Sequence, residues 1–168
     1  MDANVTDKAK WYVLHVRPRC EKKMAEYAAA RGLEYYLPLR KDTKIYQRRR
    51  VTVEKPVFTG YVFIVFDDEQ RLTVLKSNQI VRILDVTDQA RLIHELAQIR
   101  MALGVDPTLG ACEAFRKGRH VRIKGGPFMG LEGVVATVRG QARVLLNVEM
   151  IGQAVAVEAA MELLEATD

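Results

Sequence analysis

The chain has 168 residues, 49% of them hydrophobic and 28% charged, with a net charge of +5; this allows one ordinary domain or two small ones and is too apolar for a disordered chain. No apolar run approaches the roughly 20 residues that span a membrane. Met1 to Lys10 is polar with no signal-peptide core, which implies the cytoplasm, and Cys20 and Cys112 stand far apart with no partner at metal-ligand spacing.

Trp11 to Arg17 is rich in β-branched and aromatic residues and stops at Pro18, as a strand does. From Arg19 to Arg31, Cys20, Met24, Tyr27 and Ala28 recur at helical spacing, and Gly32 supplies a left-handed stop. Leu33 to Leu39 is a short apolar segment. Arg40 to Arg50, followed by Val51 to Val53, reads as a protruding basic hairpin whose Tyr46 among cations suits single-stranded nucleic acid, with a solvated loop as the plainer reading. Val57 to Phe66 is the strongest strand signal. Asp67 or Asp68 caps a short helix over Glu69 to Lys76, Ile80 to Leu84 is a strand, and a helix runs from Thr87 or Asp88 to about Leu103 with Leu92, Ile93, Leu96, Ile99 and Leu103 as its apolar stripe.

Between Gly104 and Gly118 the periodicity disappears, and Gly104, Asp106, Pro107 and Gly110 read as a linker. The division is therefore 1–103, a linker at 104–117, and 118–168. Basic character belongs to the first part: Met1 to Leu103 carries 19 Lys and Arg against 13 Asp and Glu, whereas Gly104 to Asp168 carries 7 against 8. The last part alternates over His120 to Lys124, Glu132 to Val138, Ala142 to Met150 and Gln153 to Glu158, with turns at Gly125–Pro127, at Arg139–Gln141 and at Gly152. Short strands between glycine turns predict a small barrel. Val134 to Val138 and Val144 to Val148 are strongly β-prone, against a helical alternative over Ala154 to Leu164.

Nothing in the sequence recommends an enzyme. His15, His94 and His120 lie in three different elements, and the glycine cluster Gly125 to Gly130 lacks the Lys and Ser or Thr of a phosphate loop. No catalytic residue, metal or cofactor is expected. More telling is the strand Tyr61 to Phe66, whose alternation puts Tyr61, Phe63 and Val65 on one face and Val62, Ile64 and Phe66 on the other. The first strand does likewise, with Trp11, Val13 and His15 opposite Tyr12, Leu14 and Val16. Helices in a βαββαβ order cover only one face, so the other needs a partner or, in the competing reading, cover from within the chain.

These residues resemble a known family. Trp11 to Leu14, the basic helix, Tyr36 to Leu39 and Lys55 to Phe63 look like the NusG N-terminal domain, and Phe115 to Val135 resembles its KOW motif. The resemblance implies an α+β protein: a ferredoxin-like antiparallel sheet domain (βαββαβ plus a C-terminal helix) linked to a small SH3-like or Tudor-like KOW β-barrel. It implies a monomeric transcription elongation or antitermination factor that grips the RNA polymerase clamp helices through Val13, His15, Phe58, Tyr61 and Phe63. The gate-loop contact falls on Arg71, Leu72 and Thr73, and the non-template DNA contact on Arg17, Lys23 and Tyr27. The KOW partner, the ribosomal protein NusE or the termination factor Rho, would meet Phe128, Met150 and Ile151. Ile151 stands where general NusG proteins tend to carry Phe, and Thr59 where Pro is usual; the short basic hairpin segment looks more like operon-specific paralogues such as RfaH. The alternatives are a housekeeping NusG coupled to Rho and the ribosome, and a KOW-type RNA-binding protein of the ribosome.

Overall fold

The computed structural model describes residues 9–115, 118–138 and 140–167. Arg116 and Lys117 of the KOW-like run, Arg139 of the expected strand turn and the polar N-terminal stretch fall outside the described residues. The elements in chain order are β1 (Lys10–Val16), α1 (Glu21–Ala30), β2 (Tyr35–Tyr36), β3 (Leu39–Tyr46), β4 (Arg49–Pro56), β5 (Tyr61–Phe66), α2 (Arg71–Leu75), β6 (Ile80–Leu84), α3 (Gln89–Val105), β7 (Ala111–Glu113), β8 (His120–Ile123), β9 (Glu132–Val138), β10 (Gln141–Val148), β11 (Gln153–Glu158) and β12 (Leu164–Ala166). They fall into two compact units, Met1–Leu37 with Phe58–Leu92, and Pro38–Val57 with Ile93–Asp168.

The first unit holds a sheet in the order β2-β5-β1-β6, antiparallel throughout, with β1 and β5 in the middle. That is the strand order of a ferredoxin-like βαββαβ unit. One face carries Tyr12, Leu14 and Val16 from β1 and Val62, Ile64 and Phe66 from β5, and it closes on Met24 and Ala28 of α1, Leu33 and Val74 of α2. Tyr12 and Phe66 stack with ring centroids 4.1 Å apart. Helix α1 stops where the sequence says it should. Gly32 takes φ +69°, and Leu33 N–H donates to the Ala28 carbonyl at 3.0 Å, satisfying an end carbonyl that the helix leaves open. Ahead of α2, Asp67 and Gln70 cap each other's backbone N–H groups at 2.9 and 3.0 Å. Asp88 accepts from Arg91 N–H at 3.0 Å at the start of α3.

The second unit holds the β3-β4 hairpin and a six-stranded antiparallel sheet in the order β12-β8-β9-β10-β11-β7. The hairpin is in register from Leu39↔Pro56 to Tyr46↔Arg49, and its two-residue turn puts Gln47 and Arg48 at φ +49° and +68°. Such a turn suits the twist of paired strands but normally uses Asn and Gly. The sheet buries Val144, Leu146 and Val148 of β10 with Val155 and Val157 of β11 and Val121 and Ile123 of β8. Gly133 lies so close under β10 that an added Cβ would sit 2.3 Å from the Leu145 carbonyl oxygen, which is why the alternating strand has no side chain there. The helical alternative for Ala154 to Leu164 is not taken: Gln153–Glu158 is a strand, followed by a single 3-10 turn at Met161–Leu163. Two short strands escaped the sequence reading. Ala111–Glu113, in the stretch where periodicity is lost, pairs with β11, and Leu164–Ala166 pairs with β8. No helix among the described residues is long and apolar enough to cross a membrane.

Candidate functional site

The residues assigned to a polymerase groove come together on one face of the first sheet, but their exposure differs sharply. Val13 pairs with Phe63, and His15 with Tyr61, across the β1-β5 ladder. Val13 and Phe63 have no exposure and Phe58 only 1%. Phe58 meets Phe63 edge to face, centroids 6.3 Å apart. At its centre this face is therefore buried, which differs from the expectation of a bare surface there. Removing such phenylalanine and valine side chains from water is worth about 1.5–3 kcal/mol each.

The end of the same face stays open. His15 is exposed, Tyr61 is half-buried, and their rings stack at 5.4 Å. The turn that delivers Tyr61 rests on Glu21, whose buried carboxylate accepts from Gly60 N–H at 2.8 Å. Gly60 has φ +90°, and a Cβ there would touch the His15 ring at 3.7 Å. Glu21 is a support that periodicity could not reveal, because its partner lies 39 positions away on another element.

The residues assigned to nucleic acid and the gate loop are also partly gathered. Arg17 and Lys23 are exposed. Tyr27 is committed elsewhere: its hydroxyl donates to the Thr73 carbonyl at 2.5 Å and its ring lies under the Arg31 guanidinium at 3.4 Å. That pair joins α1 to α2 and leaves one ring face already occupied by a cation. Arg71 reaches back over the Tyr12 and Phe66 rings at 5.2 and 5.6 Å and lies 3.9 Å from Asp85. Leu72 between them is 60% exposed, a large apolar group with no burial to account for it.

In the second unit, Phe128 is half-buried in the turn between β8 and β9, and Met150 and Ile151 form a 3-10 turn between β10 and β11 that ends at Gly152 with φ +66°. In an antiparallel run these two turns fall at the same end of the sheet. The later part of α3 docks there. Gln98 exchanges two hydrogen bonds of 2.7 Å with the Glu132 backbone, and Glu95 accepts from Glu149 N–H at 3.3 Å. Glu95 and Gln98 are buried polar groups beside Leu92, Leu96 and Ile99, whereas Ile93, expected in that apolar stripe, is 50% exposed.

The β3-β4 hairpin presents one basic face. Register places Arg40, Asp42, Lys44 and Tyr46 with Arg49, Val51, Val53 and Lys55 on the same side. Lys55 lies 2.8 Å from Asp42 and Lys44 lies 4.0 Å from it. The hydrogen bond from Lys55 holds the Asp42 carboxyl below its ordinary value, with the charges of Lys55, Arg40 and Lys44 adding to the effect. The crowding lowers the Lys44 ammonium, first through Lys55. No cluster of His, Cys, Asp or Glu among the described residues is placed to hold a metal ion.

The comparisons agree with this arrangement of elements. The family model described as "Transcription termination factor nusG" matches residues 9–101, more than half of the chain. A curated relative, the transcription termination/antitermination protein NusG of Borreliella burgdorferi, is 23% identical over 171 residues, covering 88% of this chain and 93% of that protein. Among solved structures, one described as "Domain interaction in Thermotoga maritima NusG" is similar with a TM-score of 0.52 at 21% identity, covering 96% of this chain and 99% of that one. The strand order of the first sheet, the β-rich second unit and the family match lead to one statement: this chain belongs to the NusG family of non-enzymatic transcription factors.

Proposed function

We propose that the protein is a transcription elongation and antitermination factor that binds RNA polymerase through the first sheet and recruits a second partner through the KOW-like sheet. The observation that carries the reading is the open His15–Tyr61 corner at the end of an otherwise closed apolar face. An aromatic pair held rigid by Glu21 and Gly60 offers a partner helix a desolvated contact at little entropic cost. Val13, Phe58 and Phe63 lie behind that corner on the same face and extend the contact. Leu72 supplies a second, separate apolar contact. Arg17 and Lys23 are free to meet phosphate of non-template DNA, whereas Tyr27 supports its neighbours through Thr73 and Arg31. Binding energy spent on one polymerase conformation shifts its population, with no chemistry in the factor.

The domain division at 1–103, 104–117 and 118–168 is part of the same proposal, as are a monomeric state, a cytoplasmic location and operon-specific action. The KOW partner is NusE or Rho, met at the Phe128 and Met150–Ile151 end of the sheet. The test is retention of core RNA polymerase by the tagged full chain. Tyr61→Asp is expected to abolish retention while the circular dichroism spectrum is unchanged; undiminished retention overturns the assignment. A second reading, an RNA-binding protein of ribosomal type, draws on the basic hairpin face. It requires tight binding of free RNA with a steep salt dependence, and weak binding removes it.

A further inference from the structure

The outer face of the second sheet holds a feature outside the contacts proposed above. Register puts Ala136 of β9, Arg143 and Leu145 of β10, Ala156 of β11 and Cys112 of β7 on one side of the sheet, because Arg143 pairs with Ala136 and Leu145 with Ala156, while Cys112 pairs with Ala154. The chain leaving β7 crosses this face at Ala114 and Phe115. Asn147 holds it there: Asn147 Nδ2 donates to the Phe115 carbonyl at 3.1 Å and Phe115 N–H donates to Asn147 Oδ1 at 3.4 Å. Two alanines sit where larger side chains would fill the space beneath. A cavity of about 460 Å3 results, walled by Ala114, Phe115, Ala136, Leu145 and Ala156, within the size range of pockets that take small ligands.

The polar group in this cavity is Arg143. Its Nε is buried and has no hydrogen-bond partner among the described residues. Glu158 approaches Nη2 only to 3.7 Å, beyond hydrogen-bond reach, and its own side chain is 69% exposed. The Nε donor on the Nε–Nη2 edge is therefore not satisfied, although the Arg143 side chain as a whole is 42% exposed, and a buried donor without an acceptor is costly. That edge matches the two oxygens of a carboxylate in a parallel, bidentate pair. Glu113 lines the cavity and Glu158 stands 3.7 Å from Arg143, and these carboxylates oppose a dianion such as phosphate, which selects a single negative charge. Cys112 lies beside the guanidinium, and burial raises its thiol pKa more than Arg143 lowers it, so it stays a neutral wall of the cavity at neutral pH.

We propose that this cavity binds a carboxylate carried on a compact apolar or aromatic body, with Arg143 Nε and Nη2 gripping the carboxylate and Phe115, Leu145 and the alanines enclosing the rest. The carboxylate can come from a free small acid or from the C-terminus of a peptide, and the two are separated by experiment. The full chain carrying Cys20→Ser leaves Cys112 as the one cysteine. Benzoate represents the free acid; Ala-Ala-Phe with a free carboxylate, set against its C-terminal amide, represents the peptide. Binding is read from the rate of Cys112 alkylation by iodoacetamide and from the Arg143 Nε–H resonance.

A ligand that fits slows alkylation about tenfold at roughly ten times its Kd, shifts the Arg143 Nε–H resonance downfield and does neither in Arg143→Gln or in Ala136→Leu. Protection by benzoate identifies a free-acid site; protection by the tripeptide but not by its amide or by benzoate identifies a terminal carboxylate. Glu158→Gln, which leaves the cavity intact, should tighten binding, because it removes the nearest competing carboxylate. The proposal is overturned if neither probe protects Cys112, if inorganic phosphate protects equally well, or if protection survives in both Arg143→Gln and Ala136→Leu.

Discussion

Two ladders of similar length, β1-β5 and β3-β4, show how differently the same antiparallel pairing can be held. In β1-β5 both faces are apolar, and residues on both, from Tyr12 and Phe66 to Val13 and Phe63, are buried. In β3-β4 nearly every side chain is open to solvent; Ile45 is 76% exposed and Tyr46 68%. The hairpin holds its register through main-chain bonds, the Thr43–Thr52 hydroxyl pair at 3.0 Å and the Lys55–Asp42 ion pair. A lone two-stranded hairpin is marginal in water. Pairing is therefore common to both, and burial alone makes one ladder a core and the other a solvent-exposed arm.

The comparison breaks first at the core. Phe66→Ala removes the ring stacked on Tyr12 and is expected to cost about 4 kcal/mol in urea unfolding, while Ile45→Ala should stay within about 0.5 kcal/mol; comparable losses would refute the contrast. Glu21→Ala leaves Gly60 N–H without its acceptor and should cost about 2 kcal/mol. Glu21→Gln, which keeps an acceptor, should lose less, and the two values distinguish a lost hydrogen bond from lost packing.

Smaller changes sharpen the hairpin side. Gln47→Asn with Arg48→Gly replaces two residues held at positive φ and should stabilise the hairpin by about 1 kcal/mol, read as slower amide exchange in β3 and β4 with β1 and β5 unchanged. Acid should act on the hairpin through Asp42. Asp42 has a folded pKa below its ordinary value of 3.8, chiefly through the Lys55 hydrogen bond, so its contribution is complete above that ordinary value and is lost as pH falls through the lowered one. The Thr43 and Thr52 resonances should move across that acid range, and Asp42→Asn should abolish the movement.

Much of this was legible residue by residue. Gly32 as a helix stop, Asp88 as a cap and the alternation of β5 and β10 are local signals, and local geometry honours them, whereas Asp67 closes the turn ahead of α2, whose N-cap is Gln70. The strand expected from Val57 begins only at Tyr61, because Val57 N–H instead bonds the Pro38 carbonyl at 2.8 Å and Gly60 turns the chain at φ +90°. Strands β7 and β12 were not legible at all: three residues each, they carry no period long enough to detect and exist because β11 and β8 offer an edge. The candidate site was legible as a set of paired residues and illegible as a surface, since alternation says which side chains share a face but not what else packs on it.

The sequence by itself determined which residues are apolar, which faces they share along β1 and β5, where the helices stop and that a basic hairpin precedes a glycine-punctuated β region. These follow from periods of two and three to four residues and from the special backbone freedom of glycine. Only the tertiary structure decided that Val13, Phe58 and Phe63 are enclosed while His15 and Tyr61 are not, that Glu21 supports Gly60, that Tyr27 is bound to Thr73, and that Arg143 faces a cavity with an unused donor. Each of those depends on groups distant in sequence meeting at a few ångströms, and burial and hydrogen bonding act over that distance in space, not along the chain.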